Sequence, residues 1–512
     1  MRNFNGLTRR EFLKLISLVP VGVYSRPLSK LTTLAQSGIP NVIVIVYDAW
    51  SQHHVSLYGY PRPTMPNLEK FAERATVYHN HYSPGTYTVT GASSLLTGMH
   101  PWTHRAFQLG AGITASHAGH NIFSALSSTH STFAYAQNKL ADQMLYQFEG
   151  ELHQHAKAWL FNAQDSDPYD VFKNDIRMAY ASLDDNIIQK GEGFDSSLFV
   201  GPIARLKTLR DRLRVEKQDE ANRYPRGVPQ APGLFFLDDL VDGSIEMLKE
   251  VQQPFLAYIH FWPPHHPYTP TRDFFDTFND GWNPPDKPIH KLSDEKNDNE
   301  KLNLNRRYYD EFIASWDHET ARLYQYLEES GLRENSYIII TADHGELFER
   351  GKIGHGPKLI YDPVIHVPLI ISRPGQTSRE DVHTITSSVD ILPTIAHLTG
   401  NPIPAWAEGQ ILPNLGGETE KGRSVFSIDA RTSSSFAPLE NFSVSITRDG
   451  HRLVFYQYPE TGYEEFEFYD LETDPDELKD LFPSSPTLAL DMKDELLQMI
   501  GEFNRPYRRG KD

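Results

Sequence analysis

The sequence predicts an α/β protein: a mostly parallel central sheet with helices on both faces, followed by a small C-terminal α+β subdomain with an antiparallel sheet. Three observations predict it. Short β-branched and apolar runs alternate with amphipathic helical patterns over most of the chain, as in strand–helix–strand units. Three of those runs lead directly into chemistry-bearing residues, namely Asp48, His265 and Asp343-His344. After about residue 420 the texture changes to short, closely spaced strand patterns.

The elements follow in order. Residues 8–14 read TRREFLK, with Arg9-Arg10 ahead of an apolar run from Leu15 to Tyr24. A charged region before a short apolar one is the layout of an export signal, and the paired arginines resemble the twin-arginine type. Ala35 in TLAQ is the candidate cleavage position, so residues 1–36 are expected to be the signal. The run is too short to span a membrane, and no other stretch of spanning length is legible. NVIVIVY (41–47), bounded by Pro40 and Asp48, reads as a buried parallel strand. Residues 66–75 read as an amphipathic helix, 93–98 as the helix that follows a threonine-rich stretch, 120–128 as helix and 131–137 as strand.

From 150 to 233 the pattern blurs. His153, His155, the DSDPYD segment and LKTLRDRLRVEK read as surface excursions, the last as a solvated helix. Leu237, Leu240, Val241, Ile245 and Leu248 restore helical spacing over 237–251. PFLAYIHFW (254–262) is a buried strand running into PPHHPYTP, and the polar segment 271–303 is read as a loop. A long helix is expected over 308–331, stopped by Gly331, then buried strands over 336–341 and 367–372. FSVSITR, HRLVFYQ and EEFEFYDL read as antiparallel strands with an Asp449-Gly450 turn between the first two, and a terminal helix covers 485–504. The expected division is a signal over 1–36, a catalytic domain over 37–420 and the subdomain over 421–512.

Composition bounds the function. The chain has 512 residues, 49 Lys+Arg and 67 Asp+Glu, a net charge of 49 − 67 = −18, and no cysteine. Such a balance argues against a nucleic-acid partner and requires a local positive centre, such as a metal, to draw in an anionic substrate. The missing cysteines remove disulfides, thiolate ligands and a thiol nucleophile.

In open α/β sheets ligands sit beyond the carboxyl ends of the strands. Asp48, His265 and Asp343-His344 all lie there by prediction. Asp48, Asp343 and His344 offer two carboxylates and an imidazole, a set that suits one divalent ion among Mn²⁺, Mg²⁺, Zn²⁺ and Ca²⁺. No second Asp/His/His set is legible, so a single ion is expected. The stretch PGTYTVTGASSLLTGMHPWTHR (84–105) holds Thr86, Thr88 and Thr90 among small residues at the start of a helix. An ion touching the Thr88 hydroxyl would acidify it and hold an ester oxygen beside it. His265 and His355 are candidates to serve the leaving alkoxide, with His266 as the rival of His265. Lys358 could neutralise a substrate oxygen.

These residues resemble the sulfatase family of the alkaline phosphatase-like superfamily. NVIVIVYD, MPNLEKFAERATVYHNHYSPG, SSLLTGMHP, PPHHPY, YDEFIASWDHETARL, TADHGE, HVPLIISRPG, SSVDILPTIAHLTG and FYDLETDPDELKDL follow in family order. The resemblance implies an alkaline phosphatase-like fold, Asp48, Asp343, His344 and Thr88 at the metal, His265 at the ester and Thr88 as nucleophile. Lys358 matches the downstream lysine, with Lys352 as the alternative. The departures are informative. Where the family carries Cys/Ser-x-Pro-Ser-Arg, this chain has Thr88-Val89-Thr90-Gly91-Ala92, and Ala49 replaces the second aspartate of the usual pair. Threonine cannot become formylglycine. Three functions are expected to compete: an exported metal-dependent hydrolase of phosphate, phosphonate or sulfate esters, a phospho-group transferase to a sugar or lipid hydroxyl, and a non-catalytic glycan binder.

Overall fold

Asn41–Asp48 (β1) is buried at every position and forms the middle of the central sheet. The computed structural model describes residues 38–163, 222–230 and 233–508, with scattered positions between 206 and 217. The Arg9-Arg10 stretch, expected to be an export signal, and the DSDPYD segment lie outside the described residues.

The other strands of that sheet are β2 (Thr76–Tyr78), β4 (Ser131–Ala136), β5 (Gln154–Ala156), β6 (Phe255–Pro264), β7 (Ser336–Ala342), β10 (Leu369–Ser372) and β11 (Glu380–Val382). Their spatial order is β11-β2-β10-β7-β1-β6-β4-β5. β7, β1, β6, β4 and β5 run parallel to one another, whereas β10 runs antiparallel to both β7 and β2. Two short pairs lie beside it: β3 (His81–Tyr82) with β12 (Thr386–Ser387), and β8 (Leu347–Glu349) with β9 (Lys352–Gly354).

Alternation along β1 divides the core. Ile43, Ile45 and Tyr47 face one side, with α1 (Pro66–Ala72), α5 (Leu237–Glu250) and α6 (Asn299–Glu329) packed there through Phe71, Leu240 and Trp316. Val42, Val44 and Val46 face the other, against α2 (Thr88–Thr97), α3 (Ile122–Leu126), α4 (Lys139–Gln147) and α7 (Ile391–Leu398) through Leu95, Ile122, Leu145 and Leu392. A strand with helices on both faces must be apolar at every position, which is why the sequence reads as an unbroken run.

The C-terminal part is a four-stranded antiparallel sheet, β13 (Val425–Asp429), β14 (Phe442–Arg448), β15 (His451–Tyr458) and β16 (Tyr463–Asp470). Asp449 and Gly450 both take positive φ, 47° and 70°, as a two-residue hairpin turn requires. Helix α8 (Thr487–Arg508) buries Ala489, Met492, Leu496 and Ile500, a single face at three- and four-residue spacing, against this sheet.

The expected loop over 271–303 is cut short, because α6 begins at Asn299. The Asp298 side chain accepts from the Lys301 backbone N–H at 2.9 Å and supplies the N-cap. Strands β2, β5 and β11 escape a periodicity search because each is only three residues long. No helix among the described residues is long and apolar enough to cross a membrane.

Candidate active site

Four adjacent parallel strands bring their carboxyl ends to one edge. Asp48 ends β1, Asp343 and His344 follow β7, His260 lies within β6 opposite Val46, and Asn138 follows β4. The ligand atoms of Asp48, Asp343 and His344 lie within 4.8 Å of one another, and all three side chains are buried. His344 Nε2 is 3.4 Å from Asp48 Oδ1 and 3.7 Å from Asp343 Oδ2. His260 Nε2 is 3.5 Å from Asp48 Oδ2 and 3.6 Å from Asp343 Oδ2. The His260 ring is fixed by a 2.9 Å hydrogen bond between Nδ1 and the Tyr258 hydroxyl.

Thr88 is the first residue of α2. The preceding Tyr87 is extended and gives no side-chain cap, so no side chain of the N-cap residue satisfies the first N–H groups of the helix. Thr88 Oγ1 lies 3.4 Å from His344 Nε2 and accepts from Asn138 Nδ2 at 3.1 Å. The same Asn138 amide donates to Asp48 Oδ2. The helix reaches this close because Gly91, one turn in, has no side chain. A Cβ there would sit 2.0 Å from the Asp343 carbonyl oxygen.

The electrostatics follow from burial. Burial would raise the Asp48 carboxyl, but His265, His260 and His344 outweigh it and hold it well below the usual range. Burial and the neighbouring Asp48 charge push Asp343 up. Burial disfavours a charged His344, yet Asp343 and Asp48 lift it to about 9. The protein thus confines two carboxylates to a dry space beside imidazoles. Asp48 Oδ1, Asp343 Oδ2 and His260 Nε2 are buried without a hydrogen bond, and buried polar atoms of this kind are normally paired. Two acceptor oxygens and a ring nitrogen left open toward one another fit a divalent cation.

Around this centre lies a ring of imidazoles. His355 packs 4.3 Å from His344 and 4.9 Å from His265, centroid to centroid. Its Nδ1 is 2.9 Å from Glu346 Oε1, and Glu346 also accepts from Tyr268 at 3.2 Å. Burial, His344 and Arg431 hold the His355 imidazole well below its ordinary range. His265 donates Nδ1–H to its neighbour's carbonyl at 2.7 Å and stacks obliquely on Trp262 at 4.1 Å. His266 instead meets the edge of Tyr268, 5.2 Å away. Arg431, arriving just after β13, lies over Tyr87 and bonds Thr86 Oγ1 at 3.1 Å and the His355 carbonyl at 2.9 Å.

The structure does not bring either lysine to the carboxylates by any bond among the described residues. Lys358 Nζ lies 5.0 Å from the centre of the Tyr458 ring. Lys352 Nζ is tied to Asp294 at 2.7 Å and Glu295 at 2.9 Å. Sequence reasoning missed His260, Asn138 and Glu346. His260 sits inside the apolar run FLAYIHFW, and only its pairing in register with Val46, two residues before Asp48, places it at the site. A second group able to hold an ion also emerges, His53, Asp362 and His366.

The family model described as Sulfatase matches residues 40–401. The chain belongs to the sulfatase family. The C-terminal model of N-sulphoglucosamine sulphohydrolase matches residues 354–502 of this sulfatase. Choline-sulfatase of Rhizobium meliloti is 23% identical over 470 residues, covering 87% of this chain and 83% of the relative. The phosphonate monoester hydrolase of Agrobacterium radiobacter aligns with a TM-score of 0.64 at 20% identity, over 91% of this chain and 96% of its own. A protein solved with its substrate D-glucosamine-2-N,6-O-disulfate aligns at 0.62 with 15% identity, over 92% and 99% of the two chains. The protein is therefore a sulfatase-family ester hydrolase with an alkaline phosphatase-like fold. Members of this family are generally divalent-metal dependent, and Asp48, Asp343 and His344 form a group able to hold such an ion.

Proposed function

We propose that this sulfatase is an exported, metal-dependent hydrolase that cleaves a phosphate, phosphonate or sulfate ester through a covalent Thr88 intermediate. One observation carries the reading: the Thr88 hydroxyl, at a helix N-terminus, lies 3.4 Å from His344 Nε2, beside two buried carboxylates whose open oxygens lack partners. Those partnerless atoms also weigh against a binding-only role. The names of the relatives span sulfate and phosphonate esters, and the twin-arginine-like stretch supports export.

Asp48, Asp343, His344 and Thr88 would hold the ion, with His260 beside them. A divalent ion there acidifies an alcohol and neutralises an ester oxygen. The protein's own groups do the rest. Asn138 orients Thr88 Oγ1, and the uncapped N–H groups at the start of α2 favour the charge that develops on the transferred group. The Oγ1 proton leaves to solvent as the oxygen bonds to phosphorus or sulfur. The ester bond breaks, and the departing alkoxide takes a proton delivered by Nε2 of His265 or His355; because Nδ1 carries the ring proton in each, Nε2 first takes that proton up from solvent, which received the one lost by Oγ1. Glu346 holds the His355 ring for that transfer. Water then displaces Thr88 and restores the hydroxyl.

The test is a panel of aryl phosphate monoester, phosphate diester, phosphonate and sulfate substrates, each with Mn²⁺, Mg²⁺, Ca²⁺ and Zn²⁺. Thr88→Ala is expected to abolish turnover of the preferred substrate with the fold intact. A folded Thr88→Ala enzyme that keeps wild-type turnover would overturn the reading.

A further inference from the structure

His53, Asp362 and His366 meet on the far side of the two loops that carry the active-site carboxylates. His53 Nε2 lies 2.5 Å and His366 Nδ1 2.8 Å from the same oxygen, Asp362 Oδ2. The other ring nitrogen of His366 faces the His79 carbonyl at 2.8 Å. A carbonyl only accepts, so Nε2 carries the proton. Nδ1 then points a lone pair at a carboxylate, unless a second proton or a cation lies between them. The outer groups are those that metal-binding residues normally have: a backbone carbonyl for the free N–H of the histidine and a donor for the second carboxylate oxygen. That donor is Arg452, which bonds Asp362 Oδ1 and, at 2.8 Å, Glu477. Arg452 thus shares its charge between the Asp362 and Glu477 carboxylates. His53 is 35% exposed, while Asp362 and His366 are 9% and 10% exposed. One side of the group therefore opens to water, as a fourth ligand needs.

We propose that His53 Nε2, Asp362 Oδ2 and His366 Nδ1 form a second, structural site for a divalent transition-metal ion of the zinc class. Two imidazoles and a carboxylate favour zinc over calcium or magnesium. The site's place in the fold defines what it does. His53 follows Asp48 by five residues, on the loop leaving β1. Residues 362–366 back onto the loop that leaves β7: Gly345 N–H bonds the Val364 carbonyl at 2.8 Å and Glu346 N–H bonds the Pro363 carbonyl at 3.1 Å. Gln52 N–H bonds the His366 carbonyl at 3.1 Å. An ion on these three side chains would staple together the loops bearing Asp48 and Asp343, without touching the substrate.

The experiment is metal counting by plasma mass spectrometry on full-length protein stripped with chelator, reloaded with Zn²⁺ and desalted. The wild type is expected to retain two equivalents per chain, and His53→Gln and His366→Gln one each, with the zinc-dependent rise in melting temperature reduced in both. His53→Gln alters a partly exposed side chain, so its fold can be verified by circular dichroism. Asp343→Asn is expected to remove the other equivalent and keep the part of the thermal response that the histidine variants lose. A chain that holds one equivalent, lost in His53→Gln and kept in Asp343→Asn, would support this site and count against the Thr88 reading. Unchanged zinc content and unchanged thermal response in both histidine variants would overturn the proposal.

Discussion

Replacing Gly91 with alanine should separate Thr88, the proposed nucleophile, from the carboxylate loop. The added methyl would sit 2.0 Å from the Asp343 carbonyl oxygen, where ordinary contact begins near 3.4 Å. The helix and the loop must therefore move apart by 3.4 − 2.0 = 1.4 Å. The carbonyl cannot easily give way, because Ser83 Oγ donates to it at 2.5 Å. Gly91 is one turn from Thr88, so the shift passes to Oγ1 and lengthens its 3.4 Å approach to His344. A misplacement of about 1 Å costs on the order of 100-fold in rate, which is about 2.7 kcal/mol of barrier. Stability moves less. Overpacking costs about 1–3 kcal/mol, and alanine regains about 0.5–1 kcal/mol as a better helix former than glycine.

The assay is kcat/KM on the preferred ester at saturating metal, together with a thermal melt. A loss of about 100-fold with a melt lowered by only a few degrees is expected. The control is Gly501→Ala on α8, where nothing lies within 4 Å of the new methyl; it should keep full activity and gain slight stability. An active Gly91→Ala enzyme, within threefold of wild type, would refute the claim that this approach sets the geometry.

Other outcomes follow from the same structure. Arg452→Leu leaves Asp362 and Glu477 buried without their shared cation, so it should cost about 3–5 kcal/mol, read as a shifted denaturant midpoint. His104 is buried, with Nδ1 accepting the Ala106 N–H at 3.1 Å, and its folded pKa is pushed down to about 3 by burial and by the neighbouring His100, His117 and Arg105. The unfolded chain, with a histidine pKa near 6.5, takes up that proton first, so this stabilisation is complete above about pH 6.5 and is lost as pH falls toward 3, at about 1.4 kcal/mol per unit. His104→Gln should flatten stability over that window, and a slope unchanged from wild type would sink the assignment. Asp317, raised to about 6 by burial, works in the opposite sense and should add stability as pH falls from 6 toward 3.8. Turnover should be higher with Zn²⁺ or Mn²⁺ than with Ca²⁺; equal rates across the three would contradict the nitrogen-containing donor set.

The sheet was legible because its central strands are buried on both faces. NVIVIVY and SYIIIT carry no alternation to misread, and their terminal aspartates mark the carboxyl edge. The short edge strands were not legible, since three residues such as Thr76–Tyr78 carry no period and depend on neighbours for their hydrogen bonds. Asp48, Asp343 and His344 could be found because strand ends concentrate function. His260 could not, because a histidine inside FLAYIHFW reads as one polar interruption of a core strand. Only the parallel register with β1, which sets His260 opposite Val46, reveals that it faces the carboxylates. The His53–Asp362–His366 group was hidden for a different reason: Asp362 and His366 are only four residues apart, but His53 is 309 residues from Asp362, and a third member at that separation leaves no spacing to recognise.

The departures from the family pattern form one chemical set. Ala49 removes a carboxylate beside Asp48, and with it one oxygen donor and one negative charge. Its backbone stays pinned in place, with N–H on Asp343 Oδ1 at 3.3 Å and the carbonyl accepting from Tyr309 at 2.5 Å. His260, within 3.6 Å of both remaining carboxylates, offers nitrogen to the same space. The groups gathered here are two carboxylates with imidazole, and their charge would match a divalent cation. Calcium seeks six to eight oxygens, whereas zinc accepts fewer ligands and prefers nitrogen among them. A stronger Lewis acid is what an alcohol nucleophile needs, because threonine has no activated hydroxyl of its own until a cation acidifies it. Threonine at 88, alanine at 49 and histidine at 260 are therefore mutually consistent. Restoring an aspartate at 49 alone should weaken zinc selectivity without making Thr88 a better nucleophile.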